Sequence, residues 1–152
     1  MLRYCFLSGA IALSSSLVIA QAAIANPVDQ LLETKACPEC ELSNANLVEA
    51  KLNGANLSLA QMRAANLRKA NLIGANLIGA YLKDASFQDA NLRWANFTNA
   101  DLENVDFRGA DLRGAKFNAA LLKDSNSQKI ILCRTIMSEG KLKKLDCRLE
   151  GD

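Results

Sequence analysis

The sequence predicts an all-β solenoid, in which a short repeated unit winds the chain into stacked coils. Three observations support this prediction. A large apolar residue recurs at every fifth position from residue 42 to residue 122, without a break in register. A small residue precedes each of these centres by two positions, and Gly, Asn or Asp follows eleven of them by two. Apolar residues make up 50% of the chain but aromatic residues only 5%, so Leu and Ala must form most of the core.

The seventeen apolar centres belong to one uninterrupted register. They are Leu42, Leu47, Leu52, Leu57, Met62, Leu67, Leu72, Leu77, Leu82, Phe87, Leu92, Phe97, Leu102, Phe107, Leu112, Phe117 and Leu122. On an α-helix, successive centres would advance by about 500° and spread around the whole surface. On a straight strand, an odd period would place alternate centres on opposite faces. A chain that turns once in each unit avoids both problems, because every centre and its preceding small residue then point inward.

The positions around each centre predict where the turns lie. Asn or Asp stands immediately before ten of the centres, and both residues favour turns because they hydrogen-bond their own backbone. If each turn bends the chain by about a right angle, four units close a coil of about 20 residues. The next coil then stacks about 4.8 Å away, at the spacing of neighbouring strands.

The units resemble the A-(N/D)-L-x-x signature of pentapeptide-repeat proteins, as in ANLIG at 75–79 and ADLRG at 110–114. This resemblance implies a right-handed quadrilateral β-helix of about four coils, spanning residues 40–124. The departures from the signature are Met62, Val105 and Leu121, and none of them shifts the register.

Residues 1–25 have the pattern of a cleaved signal peptide. Arg3 is followed by an uncharged, mainly apolar stretch at 6–20, and the small residues Ala23 and Ala25 predict cleavage after Ala25. The alternative is an uncleaved anchor. We therefore expect export to the periplasm or, as the family resemblance implies, the thylakoid lumen, with secretion as a further destination. No membrane association is expected once the signal is removed.

Each end of the solenoid has its own predicted segment. Residues 26–39 form an N-terminal cap, in which Asn26 and Pro27 begin a short helix that places Leu31 and Leu32 over the first coil. Residues 125–152 form a C-terminal cap and tail. Exposed strand edges favour end-to-end self-association wherever a solenoid end is left uncovered.

Four cysteines remain after the predicted cleavage, and an oxidising compartment favours disulfides between them. Cys37 and Cys40 predict either a capping disulfide or buried cysteines, with a redox dithiol as the alternative. A four-cysteine zinc site would need both ends of the solenoid to meet, because Cys133 and Cys147 follow the last coil. The segment 133–137 resembles the C-x-T-x-M tail of secreted family members, and that resemblance implies a disulfide between Cys133 and Cys147. Residues 138–140 are Ser-Glu-Gly where those members have Pro-Asp-Gly.

Stacking at twenty residues predicts one interaction patch on the outer surface. It has an apolar centre and a positively charged rim. Its residues are Leu59, Ile73, Ile78, Arg93, Trp94 and Arg113. Gly74 and Gly114 leave room for the indole of Trp94. The alternative is that these are ordinary isolated exposed residues, with Trp94 covering the glycines.

The composition argues against catalysis. The chain contains no His, and its carboxylates are scattered along the repeat, so we expect no catalytic site, no metal site and no cofactor. The leading hypothesis is a non-enzymatic extracytoplasmic structural or interaction scaffold with a protein partner. A thiol/disulfide redox function at Cys37 and Cys40 is the first alternative.

The second alternative is a topoisomerase inhibitor that mimics DNA, as in the quinolone-resistance members of the family. Such a protein needs a long and strongly acidic rod, whereas the net charge here is +2, or +1 once Arg3 is removed with the signal. The near-neutral charge also argues against a nucleic-acid partner.

Overall fold

The computed structural model describes residues 26–128, 131, 133–137 and 142–143. The predicted signal peptide with its cleavage site at Ala25 lies outside the described residues, and so does Cys147. The regular elements are a helix, α1, at Pro27–Thr34 and two strands, β1 at Thr135–Ile136 and β2 at Leu142–Lys143. The two strands pair antiparallel, with Ile136 opposite Leu142. Between α1 and β1 the chain forms the solenoid.

The start of α1 follows from its first residues. The side chain of Asn26 accepts a hydrogen bond from the backbone N–H of Val28 at 3.0 Å, and Pro27 occupies the first turn, where no N–H is needed. Lys35 ends the helix in the left-handed conformation, and its N–H donates to the carbonyl of Leu31 at 3.0 Å. Leu31 is buried in the core, whereas Leu32 is exposed. Only one of the two leucines expected over the first coil is therefore covered.

Parallel backbone bridges between residues twenty apart hold the solenoid together. They run from Ala36 paired with Asn56 to Lys116 paired with Ile136. The N–H of each centre donates toward the following coil, as from Leu77 to the carbonyl of Asn96 at 2.8 Å. The N–H one residue earlier donates toward the preceding coil, as from Asn76 to Ala55 at 2.8 Å. The twenty-residue stacking expected from the repeat is thus observed.

A tight turn follows every centre, and it explains the repeat signature. The centre's carbonyl accepts from the N–H three residues later, as in Leu77 with Ala80 at 3.1 Å. The residue two after each centre has positive φ at all seventeen positions from 44 to 124, which is the conformation that a type II turn requires. The Asn or Asp before the centre accepts from the N–H two residues later, as Asn76 does from Ile78 at 3.2 Å. That hydrogen bond satisfies a donor that the strand ladder leaves unpaired.

The core is a column of centres and small residues. All the centres from Leu42 to Phe117 are buried, as are the small residues from Ala55 to Ala120. The four phenylalanines of the solenoid stack in two alternating columns, with Phe87 on Phe107 at 5.5 Å and Phe97 on Phe117 at 5.0 Å between ring centroids. Cys40, Ala45 and Ala50 in the first coil are only partly buried, because no full coil lies beneath them.

The ladder extends past the predicted repeat at both ends. Cys37 precedes Leu42 by five residues, is fully buried and occupies the position of one more centre. At the other end, Asn126, Ile131 and Ile136 continue the parallel bridges beyond residue 124. Cys37 and Ser127 stand where a large apolar centre is expected and so interrupt the repeat, whereas Leu132 and Met137 keep the register beyond that interruption.

Candidate interaction surface

Four stacked segments form one side of the solenoid: residues 53–59, 73–79, 93–99 and 113–119. We call this surface the Trp94 side. Asn56, Asn76, Asn96 and Lys116 are bridged in sequence along its middle. All six residues of the predicted patch lie on it, at its two edges. Leu59 and Ile78 lie at the edge that follows the bridged column, and the other four lie at the edge that precedes it.

Trp94 lies flat against the coil that follows it. A Cβ atom added at Gly114 would overlap the six-membered ring of the indole and lie 2.7 Å from Trp94 Cδ2. No atom of the described residues comes within 4 Å of a Cβ atom added at Gly74. The expectation that both glycines make room for the indole is therefore right for Gly114 and wrong for Gly74, because the side chain leans toward the next coil only. Trp94 remains 53% exposed.

Leu59 repeats this arrangement at the opposite edge. Its Cδ2 lies 2.7 Å from the position of a Cβ atom at Gly79, one coil further on, and the residue is 46% exposed. Leu59 and Trp94 both have positive φ, at 58° and 61°. Bulky side chains rarely occupy this region, because the Cβ atom approaches the backbone carbonyl. Two large apolar residues are thus held on the surface in a conformation that favours Gly or Asn.

The middle of the Trp94 side is a strip of amides. The Nδ2 atom of Asn76 donates to Oδ1 of Asn56 at 3.3 Å, which joins two stacked amides of this strip. The same Oδ1 atom accepts the N–H and the hydroxyl of Ser58. Asn96 binds the N–H and the hydroxyl of Thr98 in the same way. The strip is therefore flat, and its acceptor oxygens are already engaged by the chain itself.

The basic groups of this side differ in their surroundings. Arg113 Nε donates to Oδ1 of Asp111 at 2.9 Å on the adjoining side. Arg93 Nε is buried without a hydrogen-bond partner in the described part of the chain. Lys116 is exposed at the end of the amide column. The positive charge is thus greatest toward the C-terminal coils.

The other sides carry paired charges. Lys83 Nζ lies 2.9 Å from Glu103 Oε2, which raises the pKa of the lysine and lowers the pKa of the glutamate through the hydrogen bond that they share. Asp84 contacts Arg63 at 3.5 Å and accepts a hydrogen bond from Asn104 at 2.9 Å. Each of these pairs joins residues of two adjacent coils, so the pairs brace the outside of the ladder. Among the described residues, no group of three His, Cys, Asp or Glu side chains is placed to hold a metal ion.

The N-terminal cysteines form a disulfide. Cys37 and Cys40 are joined with Cα atoms 5.3 Å apart, across the first turn of the solenoid. Cys37 Sγ lies 3.5 Å from the carbonyl oxygen of Pro27 in α1. Cys133 is also disulfide-bonded. Its predicted partner, Cys147, lies outside the described residues, so their pairing stays a prediction.

The contact between Trp94 and Gly114 predicts a specific pair of mutant effects. We expect Gly114→Ala to lower the free energy of unfolding by more than Gly74→Ala does. Both glycines have positive φ, at 71° and 67°, so both variants carry a backbone cost of about 1 kcal/mol. Only the Ala at 114 also displaces the indole. Urea unfolding of both variants, alone and combined with Trp94→Gly, measures the difference. Equal losses for the two single variants would contradict the contact.

The pair between Asp106 and Arg108 predicts an acid-dependent loss of stability. The side-chain hydrogen bond from Arg108 lowers the pKa of the Asp106 carboxyl below its usual 3.8. The folded chain then binds this proton less readily than the unfolded chain does. The stabilisation is complete above about pH 4 and is lost as the pH falls through the lowered value. We expect Asp106→Asn to flatten the fall in urea midpoint below about pH 4, and identical acid profiles would contradict the assignment.

Coils stacked at a twenty-residue offset, with a turn after each centre, define a β-solenoid repeat protein. The family model for pentapeptide repeats in eight copies matches residues 40–77, 65–104, 75–114 and 85–124. The protein belongs to this family. No curated protein matches the chain significantly. Among the described residues, no helix has the length and apolar character needed to cross a membrane.

Several solved structures of the family resemble the chain. HetL, involved in heterocyst differentiation regulation in the cyanobacterium Nostoc sp. strain PCC 7120, is 26% identical with a TM-score of 0.55. That match covers 71% of this chain and 62% of HetL, so the chain spans less than two thirds of HetL. The protein alr5209, also from Nostoc PCC 7120, is 30% identical over 70% of this chain and 73% of its own, with a TM-score of 0.37. AT2G44920 from the Arabidopsis thaliana thylakoid lumen is 22% identical over 75% and 73%, with a TM-score of 0.39.

Proposed function

We propose that the protein is a non-enzymatic extracytoplasmic scaffold that binds a protein partner through the Trp94 side. The observation that carries this proposal is the exposure of Trp94 and Leu59 at positive φ. A left-handed backbone costs a non-glycine residue about 1–2 kcal/mol. Gly74 and Gly114 avoid this cost in the column of Trp94, and Gly79 avoids it in the column of Leu59. Two large apolar residues that are exposed in spite of this backbone cost are better explained by binding than by folding.

The family supports a scaffold function. Pentapeptide-repeat proteins are generally structural or interaction proteins, and HetL is involved in the regulation of heterocyst differentiation. A regulatory relative favours binding to another macromolecule over chemistry on a small substrate. The interior points the same way, because Leu, Phe and Ala fill it and leave polar side chains to the outside.

The cysteines support export. Disulfides persist in oxidising compartments and are rare in the cytosol. The bond between Cys37 and Cys40, together with the disulfide-bonded state of Cys133, agrees with the signal peptide predicted over residues 1–25. The proposed location is the periplasm or the thylakoid lumen, with secretion as the further destination.

We propose that the solenoid has about four coils and that both of its ends are capped. Buried Leu31 attaches α1 to the core at the N-terminal end. At the C-terminal end, the buried hydroxyl of Thr135 donates to the carbonyl of Leu112 at 2.8 Å and ties β1 to the last coil. The proposed disulfide between Cys133 and Cys147 would close this tail. Such caps limit end-to-end self-association, because they cover the strand edges.

A redox function for Cys37 and Cys40 makes a different prediction. A redox dithiol needs a sulfur that a partner thiol can reach, whereas Cys37 is fully buried against α1. We expect that the native protein, purified without reductant, shows no thiol that reacts with a maleimide. Unfolding without reductant should expose none either. Two thiols that react rapidly in the native protein would favour the redox function over a capping disulfide.

Affinity capture tests the scaffold function. The bait is the chain from residue 26, and the extract comes from the native compartment. We expect a specific protein to be retained by the wild type and lost with Leu59→Gly combined with Trp94→Gly. The matched control is Tyr81→Ser combined with Leu121→Ser, because those residues are 47% and 54% exposed on another side. Equal retention by both double variants would refute the use of the Trp94 side, and no specific retention by the wild type would refute the scaffold function.

A further inference from the structure

We propose that the Trp94 side binds an acidic protein segment, in which carboxylates alternate with apolar side chains. This inference rests on the proposed scaffold function and names the chemistry of the partner. Its basis is the distribution of charge around the solenoid. The segments 53–59, 73–79, 93–99 and 113–119 contain no Asp and no Glu, and they contain Arg93, Arg113 and Lys116.

The other three sides all carry carboxylates. Those between residues 42 and 128 are Glu49, Asp84, Asp89, Asp101, Glu103, Asp106, Asp111 and Asp124. None of these eight positions falls within the four segments of the Trp94 side. The nearest acidic residue in the Leu59 column is Glu39, one coil toward the N-terminus and away from the three basic residues. The four segments between residues 53 and 119 thus carry no carboxylate, and all three of their basic residues lie in the two C-terminal segments.

Ion pairing increases this asymmetry. On the other sides, Lys69 lies 3.6 Å from Glu49, and Arg108 and Lys83 pair with acidic residues of their own surfaces. On the Trp94 side, Arg113 is the one basic residue with such a partner in the described part of the chain, namely Asp111 on the adjoining side. Neither Arg93 nor Lys116 forms an ion pair within the described residues. An anionic partner complements this potential, and a cationic partner is repelled by it.

The shape of the surface favours a protein as the occupant. Trp94 and Leu59 lie against Gly114 and Gly79, so they present flat apolar faces at the two edges of a flat amide strip. Residues that insert into a membrane must project from the surface, and these two do not. Nucleic-acid binding draws its affinity from many phosphate contacts, about 6–10 in a typical site, whereas this side offers three basic residues. A segment with apolar side chains for the edges and carboxylates for the basic end fits all of these features.

Selection from a random peptide display library tests the proposal without knowledge of the partner. The bait is the chain from residue 26. The probe is a library of random peptides of about 12 residues, which are long enough to cross one side of a coil. We expect the selected peptides to be enriched in Asp and Glu together with apolar residues. Trp94 is the only tryptophan, so its emission reports binding directly.

Variants then locate the binding site. We expect Lys116→Glu and Trp94→Gly each to weaken the best peptide about tenfold or more in calorimetric titrations, while Tyr81→Ser leaves its affinity unchanged. Thermal melts confirm that the variants fold; Trp94→Gly only reproduces the glycine found at 74 and 114. Affinity for the wild type should also fall as NaCl is raised from about 50 mM to about 500 mM.

Opposite outcomes overturn the inference. Selected peptides that are basic or neutral, or whose affinity is unchanged by Lys116→Glu and Trp94→Gly, would refute it, and so would a library that yields no binder. Tighter binding to vesicles of phosphatidylcholine and phosphatidylglycerol, or to single-stranded DNA, would replace the protein segment by a lipid surface or a nucleic acid. If capture from the native extract succeeds and is unchanged by Lys116→Glu, the scaffold function stands and only the acidic partner is wrong.

Discussion

Replacing Phe97 with Ala is expected to lower the free energy of unfolding by about 3–5 kcal/mol. Phe97 is fully buried and stacks on Phe117 with ring centroids 5.0 Å apart. It also meets Phe87 and Phe107 edge-to-face, at 5.8 Å and 6.1 Å. Truncation removes all three aromatic contacts at once. It also leaves a cavity in the middle of the core.

Urea unfolding, followed by far-UV circular dichroism and by the emission of Trp94, measures this loss. Trp94 lies three residues from Phe97, so its emission reports the same coil. The matched control is Phe97→Leu, because Leu57 and Leu77 occupy the same column. We expect the control to lose clearly less than the Ala variant. A loss below about 1 kcal/mol in Phe97→Ala would contradict the inward placement of the aromatic column.

Replacing Ala75 with Leu is expected to cost about 3 kcal/mol, the upper end of the range for overpacking. Ala75 is fully buried, and its backbone is fixed on both sides. Its N–H donates to Leu72 at 3.0 Å, and its carbonyl accepts from Asn96 at 2.9 Å. The wall cannot move outward to admit three more carbon atoms without breaking the ladder to the next coil.

Ala119→Leu is the control for this substitution. Ala119 is exposed, has positive φ at 52° and stands in the column where Leu59 already holds a leucine in that conformation. We therefore expect this variant to unfold at nearly the same urea concentration as the wild type. If Ala75→Leu and Ala119→Leu lower the free energy of unfolding equally, close approach of the walls is not the reason why position 75 requires a small residue.

Much of the fold follows from the five-residue period. Neither a helix nor a straight strand can bury residues at that spacing, so the chain must turn in every unit. The amide signature follows as well, because Asn or Asp before a centre binds the N–H two residues later, as Asn71 binds Ile73 at 3.3 Å. The charge asymmetry of the Trp94 side also follows from the sequence once residues twenty apart are stacked.

Other features depend on contacts that no local pattern contains. Cys37 serves as a further centre beneath Leu57, and its role is visible only where Leu31 and the first coil close around it. The direction in which Trp94 leans is another such feature. Glycine stands at both 74 and 114, one coil before and one coil after Trp94. The geometry of the turn directs the indole toward Gly114 alone.

The sequence by itself determined the solenoid, its register, its turns and the residues of the candidate patch, because each depends on spacing along the chain. Tertiary structure decided how those residues are presented. Trp94 and Leu59 lie flat over glycines of the next coil, and neither Arg93 nor Lys116 forms an ion pair with a residue that the structure describes. The reason is physical: period fixes which way a side chain points, whereas its final contacts depend on the neighbouring coil, twenty residues away.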